Sequence, residues 1–127
     1  MWNESVKKDF SPPTNPQSYF KPEFLTRVNR AFEQYYGDPH FGIQQVASCV
    51  CLSPSQLYRR LRAETGLSPS LYLRSLRLQK AHALLEHTDL PVMEIAYQVG
   101  FSDPAYFSRT FKQMYGQSPA AFRKMHK

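Results

Sequence analysis

Two groups of side chains have the residue types that catalysis or metal binding needs, but their spacing suits neither. Cys49 and Cys51 are separated by one residue, which suits neither a structural disulfide nor a four-ligand zinc site. His82 and Glu86 are four residues apart and close to His87, but no obvious third and fourth ligands accompany them, which favours a surface ion pair. The chain also has no glycine-rich phosphate loop and no HExxH motif. We therefore expect free thiols, no cofactor and no enzyme.

The uneven distribution of basic residues indicates a polyanionic partner. The 127 residues contain 16 Lys and Arg against 10 Asp and Glu, a formal net charge of +6. Residues 1–58 contain five basic and five acidic residues, whereas residues 59–127 contain eleven and five and so carry the whole excess. Nucleic acid is the first candidate partner, and an anionic membrane is the second.

Two features disfavour the membrane. No apolar stretch approaches the roughly 18 residues that span a bilayer, and the first residues lack the basic and apolar regions of a signal peptide. In the long helix predicted over 69–87, the cations Arg74, Arg77 and Lys80 wind around the helix instead of forming one polar face. We expect a cytoplasmic protein without membrane contact, in which these cations meet DNA phosphates or solvent.

Proline and glycine divide the sequence into predicted helices. Four prolines follow a residue whose side-chain oxygen can cap a helix, at Ser53-Pro54, Ser68-Pro69, Asp103-Pro104 and Ser118-Pro119. Gly66, Gly100 and Gly116 are placed to end helices in a left-handed conformation. Because apolar residues follow helical spacing and no segment sustains a period of two, the predicted fold is all-α. The seven predicted helices cover 22–36, 42–50, 54–65, 69–87, 91–99, 104–115 and 119–125.

The second and third predicted helices recur as the fifth and sixth. Ala47 recurs 49 residues later as Ala96, and Arg59 recurs 50 residues later as Arg109, because the second turn is one residue longer. Each copy has a short amphipathic helix, a tight turn and a longer helix, which is the shape of a helix-turn-helix unit. A duplicated helical hairpin used only for packing or protein interaction is the alternative.

The longer helix of each copy places basic residues opposite its apolar face. With Leu57 and Leu61 turned inward, a rotation of about 100° per residue turns Arg59 outward. The helix over 104–115 does the same for Arg109, as expected of helices that lie in a major groove. The predicted base contacts are Ser55, Gln56, Tyr58, Arg59, Arg62, Ala105, Ser108, Arg109 and Lys112.

Further basic residues, together with one tyrosine, are predicted to contact DNA phosphates. A charged face in contact with solvent is the alternative for the outward cations of the helices over 54–65 and 104–115, and packing is an equal alternative for Tyr58 and Tyr106 at the sides of that face. The phenylalanines of the second copy fall on inward positions and are predicted to form its core. The predicted phosphate contacts are Arg60, Arg74, Arg77, Tyr106, Arg123 and Lys124.

Several motifs together resemble one protein family. The most specific are EIAYQVGF at 94–101, YFSRTFK at 106–112 and GQSP at 116–119, supported by residues 47–69 and by SLRLQKA at 75–81. Over residues 22–125 the chain resembles the DNA-binding domain of the AraC/XylS family of bacterial transcription regulators. The segment SPSQLYRRL at 53–61 is similar to output domains of hybrid two-component regulators in that family.

The resemblance implies a domain organisation and a set of partners. Two helix-turn-helix subdomains, at 21–67 and 88–127, would be joined by a long helix at 68–87 and preceded by a flexible arm or linker at 1–20. Double-stranded promoter DNA and RNA polymerase are the implied partners. Since 127 residues leave no room for a ligand-binding or receiver domain, we expect either a stand-alone regulator or an output domain separated from its sensor, monomeric in isolation.

Two positions distinguish the copies. Cys51 stands where the second copy has Gly100, so the first copy is strained if that turn needs a positive φ. Ala105 occupies an outward position where a polar side chain could contact bases, so base recognition by the second copy is expected to depend mainly on Arg109, with thymine-methyl contact by Ala105. The linking helix would be about 27 Å long against about 34 Å for one DNA turn, so binding by both copies would require bent DNA.

Overall fold

The structure is a computed structural model that describes residues 17–38 and 40–126. Within these ranges it contains seven helices and no strand, which confirms the predicted all-α fold. None of the described helices is both long and apolar enough to cross a membrane. The helices are α1 (Gln17–Tyr35), α2 (Ile43–Cys49), α3 (Pro54–Thr65), α4 (Pro69–His87), α5 (Val92–Gln98), α6 (Pro104–Tyr115) and α7 (Pro119–His126).

Helix α1 begins earlier than its apolar spacing predicts. The predicted start is residue 22, with a flexible arm over 1–20, whereas the backbone is helical from Gln17. The prediction placed Pro22 at the first helical position, but Pro16 directly precedes the observed start, and no glycine or proline lies between them. The arm prediction is therefore wrong for residues 17–20, and residues 1–16 lie outside the described residues.

The predicted caps and stops of the later helices are confirmed. The Oγ of Ser53 accepts a hydrogen bond from the backbone N–H of Gln56 at 3.2 Å, and Oδ1 of Asp103 accepts one from Ala105 at 3.0 Å. These caps satisfy amides at the starts of α3 and α6 that have no partner within the helix. The other predicted caps and stops are Ser68, Ser118, Gly66 (φ 79°), Gly100 (φ 104°) and Gly116 (φ 84°).

Two apolar cores hold the helices together. The first is built by α1, α2, α3 and the start of α4, and the second by the rest of α4 with α5, α6 and α7. Complete burial of a large apolar side chain stabilises the fold by about 1.5 to 3 kcal/mol, so a few such residues in each core outweigh any surface ion pair. The side chains predicted to face inward are fully buried: Leu57, Leu61, Phe107 and Phe111.

Helix α4 belongs to both cores. It contributes Leu73 to the first and Leu78 to the second, and Tyr36, which follows α1, packs against both. The Nζ of Lys80 pairs with Oε1 of Glu33 on α1 at 2.8 Å, so this cation meets a protein carboxylate and not the phosphate or solvent predicted for it. The linking helix α4 therefore packs against both helix-turn-helix units. The subdomain limits of 21–67 and 88–127 stay a prediction.

Candidate nucleic-acid interface

The two helix-turn-helix units have the same hydrogen-bonded turn. In the first unit the N–H of Leu52 donates to the carbonyl of Ala47 at 2.9 Å, and in the second the N–H of Phe101 donates to the carbonyl of Ala96, also at 2.9 Å. The buried alanines let the two helices of each unit cross closely. The extra residue of the second unit lies after these bonds, between Phe101 and the start of the longer helix at Pro104.

The central position of each turn has a positive φ. It is 61° at Cys51 and 104° at Gly100, and Cys51 is the one non-glycine residue with a positive φ in the part of the chain that the structure describes. The positive φ on which the predicted strain of the first copy depends is therefore confirmed. Cys51 and Cys49 are exposed free thiols, as their spacing indicated.

Helix α3 exposes all its predicted base-contacting side chains. Arg59 and Arg62 are exposed, whereas Leu57 and Leu61 on the same helix are fully buried. The Nη1 of Arg62 donates to the carbonyl of Gly66 at 3.2 Å, which places this guanidinium at the end of the helix. The remaining exposed members of the set are Ser55, Gln56 and Tyr58.

Gln56 has a structural role beside its predicted contact with DNA. Its Oε1 accepts a hydrogen bond from the N–H of Ser53 at 2.9 Å, and together with the bond that Ser53 Oγ accepts from the N–H of Gln56 this makes a reciprocal capping box. The signal was in the sequence, because Ser followed three residues later by Gln is the pattern of this box. The carboxamide NH2 group still has its two donors for another partner.

Helix α6 repeats the arrangement with other residue types. Arg109 and Lys112 are exposed, Ala105 is exposed near the start of the helix, and Ser108 is half-buried. The Arg109 guanidinium carbon lies 5.7 Å from the ring centre of Tyr106, within the range of a cation–π contact. Both units thus expose two cations, but the second has Ala105 and Tyr106 where the first has Ser55 and Gln56.

Three predicted phosphate contacts already have partners within the protein. The Nη2 of Arg60 lies 3.3 Å from Oε2 of Glu64, and its guanidinium carbon lies 4.2 Å from the ring centre of Phe24. The Nη1 of Arg74 donates to the hydroxyl of Tyr106 at 3.0 Å, which joins α4 to α6. Arg60 and Tyr106 are exposed and Arg74 is half-buried, so all three stay candidates for phosphate contact.

The prediction that Arg77 contacts a phosphate is wrong. Its Nη1 donates to the carbonyls of Tyr36 at 2.9 Å and Val99 at 2.7 Å, and its Nη2 donates to the carbonyl of Phe41 at 3.2 Å. Burial lowers the pKa of Arg77 from its ordinary value, but guanidinium stays protonated in proteins because that value is so high. These three bonds use both N–H groups of Nη1 and one of Nη2, and they hold the half-buried guanidinium against the protein's own backbone.

The prediction for Arg123 is wrong for the same reason. Its Nε donates to the carbonyl of Leu85 at 3.4 Å, its Nη2 to that of Thr88 at 3.2 Å, and its Nη1 to that of Leu90. These carbonyls lie at the end of α4 and in the segment after it, so Arg123 ties α7 to that segment. The neighbouring Lys124 is exposed and stays a candidate for phosphate contact.

The predicted ion pair of His82 and Glu86 is also wrong. The His82 ring lies 4.6 Å from the ring centre of Tyr115 and 4.4 Å from that of Phe122, at the edge of the second core. Glu86 instead lies 3.8 Å from Nε2 of His87. Packing of His82 against aromatic rings stabilises its position more than an exposed ion pair with Glu86 would. No group of three or more His, Cys, Asp or Glu side chains among the described residues could hold a metal ion.

Comparison with known proteins identifies the two units. A family model described as a helix-turn-helix domain matches residues 46–125. The arabinose operon regulatory protein of Salmonella typhimurium is 42% identical over 105 residues, which cover 80% of this chain and 37% of that protein. The chain belongs to the AraC/XylS family of DNA-binding domains. It spans about a third of the length of this curated relative.

Solved structures agree with the AraC/XylS assignment. The C-terminal domain of AraT, a response regulator from Geobacillus stearothermophilus, matches with a TM-score of 0.73 at 31% identity, covering 84% of this chain and 88% of that one. The DNA-binding domain of AdpA, solved in complex with a target DNA, matches with a TM-score of 0.71 at 31% identity, covering 80% and 90%. The resemblance seen in the motifs is confirmed, while the assignment of single side chains to bases or phosphates stays a prediction.

Proposed function

We propose that this AraC-type domain binds double-stranded promoter DNA with α3 and α6 in two successive major grooves. The observation that carries the proposal is the matched pair Arg59 and Arg109, which are exposed at equivalent positions of two helices built against one shared helix. Arginine is suited to guanine because its two parallel donors match the O6 and N7 acceptors. Two such residues on one rigid scaffold support a bipartite site.

The length of α4 determines how the two grooves are reached. Its 19 residues correspond to about 28 Å, and successive major grooves on one face of DNA are about 34 Å apart. With α3 and α6 on either side of α4, the domain therefore engages both grooves when the DNA bends toward it. Smooth bending of a site of this size costs a few kcal/mol, which two sets of contacts can offset.

The proposed contacts divide into base recognition and positioning. The remaining phosphate contacts are Arg60, Arg74, Tyr106 and Lys124, since Arg77 and Arg123 are engaged with carbonyls. Phosphate contacts fix the register of the protein on the duplex, and contacts to base edges select the sequence. The proposed base contacts are Ser55, Gln56, Tyr58, Arg59, Arg62, Ala105, Ser108, Arg109 and Lys112.

The partners and location of the whole regulator belong to the same proposal. The similar proteins are named as regulators of operons and as transcription activators, which supports contact with RNA polymerase and action in the bacterial cytoplasm by binding and not by catalysis. Because the chain spans about a third of such a relative, a sensor or receiver domain is proposed for the intact protein. The domain alone is proposed to be monomeric.

Selection of duplexes from a random pool tests the proposal. We expect two short elements about 10 base pairs apart from centre to centre. Inserting five base pairs between them turns the second element to the opposite face and should reduce affinity to that of one element. The logarithm of affinity should also fall against the logarithm of salt with a slope of about −3 or steeper, because at least three cations displace counterions. A slope near zero with no selected sequence would instead indicate the helical protein-interaction module.

A further inference from the structure

Arg77 lies where the two helix-turn-helix units meet. On α4 it stands between Leu73 of the first core and Leu78 of the second. Its acceptors come from both sides: the carbonyls of Tyr36 and Phe41 belong to the segment between α1 and α2, and that of Val99 belongs to the turn between α5 and α6. One guanidinium group therefore joins backbone from the first unit to backbone from the second.

The backbone around Arg77 is shaped to admit it. A Cβ atom built on Gly100 would collide with the Arg77 guanidinium and would lie 3.1 Å from the carbonyl oxygen of Tyr36. A Cβ atom on Gly37 would lie 3.7 Å from the carbonyl oxygen of Gln98, so the two backbones also approach each other beside the guanidinium. The units are thus joined directly as well as through α4.

The other side-chain links between the units are weaker. Lys80 pairs with Glu33 at 2.8 Å, but the Glu33 side chain is 60% exposed, and exposed ion pairs contribute little. The bond between Arg74 and Tyr106 involves a tyrosine that is 39% exposed. Three charge-assisted bonds from a half-buried arginine hold their geometry better, because the planar guanidinium loses little freedom for each bond that it makes.

We propose that Arg77 is a positioning residue that fixes the second unit relative to the first and so sets the spacing of the DNA elements that the domain accepts. This inference rests on the proposed bipartite site. Adding one base pair between the elements moves the second by about 3.4 Å and rotates it by about 35°. A domain whose units are joined by the hydrogen bonds of Arg77 cannot adjust to that displacement. Without these bonds, the two units can tilt relative to each other about α4.

Arg123 supplies the matched control. It also donates to three backbone carbonyls, but those of Leu85, Thr88 and Leu90 all lie at or after the end of α4, beside the second core. Arg123→Ala therefore removes a comparable set of bonds without separating the two units. A general loss of stability should appear in both variants, and a change in spacing preference in Arg77→Ala alone.

The experiment measures affinity for duplexes whose two elements are separated by the selected spacer and by spacers one and two base pairs shorter or longer. For the wild type and Arg123→Ala, a departure of two base pairs should cost about tenfold or more, since the second contact is lost. For Arg77→Ala it should cost about threefold or less, with weaker binding at the best spacer. Arg77→Lys keeps the charge but not the planar set of donors, so it should show the same flattened profile and decides the question if Arg77→Ala does not fold by circular dichroism.

The possible outcomes distinguish a failure of the positioning role from a failure of the proposed bipartite site. If the wild type depends on spacing and both Arg77 variants depend on it equally, the positioning role is wrong and the bipartite site stands. If the wild type itself binds all spacers equally, the bipartite site is wrong and the positioning role is wrong with it. If Arg123→Ala flattens the dependence of affinity on spacer length as much as Arg77→Lys does, both effects are due to lost stability and not to positioning by Arg77.

Discussion

The turns of the two helix-turn-helix units have the same hydrogen bonds but different surroundings. The positive-φ position of the first is Cys51, whose side chain is exposed, and that of the second is Gly100, which packs against Arg77. A residue at φ 61° lies in the left-handed region that side chains can adopt at a cost, whereas φ 104° lies outside it. The first turn therefore tolerates strain, while the second excludes any side chain.

The longer helices of the two units, α3 and α6, also differ in their surroundings. At equivalent positions, Gln56 closes a capping box in α3, and Tyr106 bonds to Arg74 and lies against Arg109 in α6. Gln56 is thus held by the start of its own helix, whereas Tyr106 is held by the shared helix α4. We therefore predict that the first unit discriminates between bases more strongly than the second, whose base recognition depends mainly on Arg109.

Gly100→Ala should have the largest effect among the substitutions that test this comparison. The methyl group meets both an unfavourable φ and the Arg77 guanidinium, so at least one charge-assisted hydrogen bond is lost along with the strain. We expect a loss of about 3 to 5 kcal/mol in the free energy of unfolding, measured by urea denaturation.

Gly66→Ala and Gly116→Ala are the controls for that experiment. Both glycines have a positive φ, of 79° and 84°, but nothing lies within 4 Å of an added Cβ atom. Each should cost about 1 to 2 kcal/mol, the strain alone. Equal losses at all three positions would mean that the close approach of Arg77 contributes nothing.

The next largest effect is expected for the two exposed arginines. Arg59→Ala and Arg109→Ala should each reduce affinity for the selected duplex by about 1 to 3 kcal/mol and relax preference at different base pairs. Titration of a panel of single-base variants of the site measures this. Arg59→Ala should relax the base preference more than Arg109→Ala does, because more hydrogen-bonding groups surround Arg59. Uniform loss on every sequence would make both residues phosphate contacts.

The elements that sequence reasoning predicted are those marked by neighbouring residues. The caps at Ser53 and Asp103 and the stop at Gly100 each depend on a few adjacent positions, so local rules located α3, α5 and α6 to within a residue. The start of α1 was missed because Pro22 looked like a first helical residue while Pro16 carried the same signal.

Arg77 and Arg123 were misassigned because their partners are distant in sequence. Arg77 lies four residues after buried Leu73 and four before buried Ala81, so helical spacing already put it on the inner face. Arg123 likewise lies four residues after buried Pro119. A charge on an inner face must find hydrogen-bond acceptors. Those of Arg77 are 22 to 41 residues away, which no local pattern reveals.

A smaller effect separates the two roles of Gln56. Gln56→Ala loses the acceptor for the N–H of Ser53, so it should lower the free energy of unfolding by about 0.5 to 1 kcal/mol. Gln56→Glu keeps that acceptor and suits a helix start, but it removes the amide donors and adds a negative charge on the face proposed to meet DNA. It should unfold like the wild type and bind the duplex at least tenfold more weakly, a difference of about 1.4 kcal/mol. Unchanged binding by Gln56→Glu would leave Gln56 as a cap only.

Cys51→Gly should have the smallest effect, and it is the one change expected to stabilise the fold. Relief of the left-handed strain favours the variant by about 1 to 2 kcal/mol, while the greater freedom of glycine in the unfolded chain opposes it by about 0.5 to 1 kcal/mol. The net gain should be about 0.5 to 1 kcal/mol, seen as a higher urea midpoint with an unchanged slope. Cys51→Ala keeps the strain and removes the thiol, so it should stay close to the wild type. If Cys51→Gly were no more stable than Cys51→Ala, the turn of the first unit would not be strained, and the contrast with Gly100 would be due to Arg77 alone.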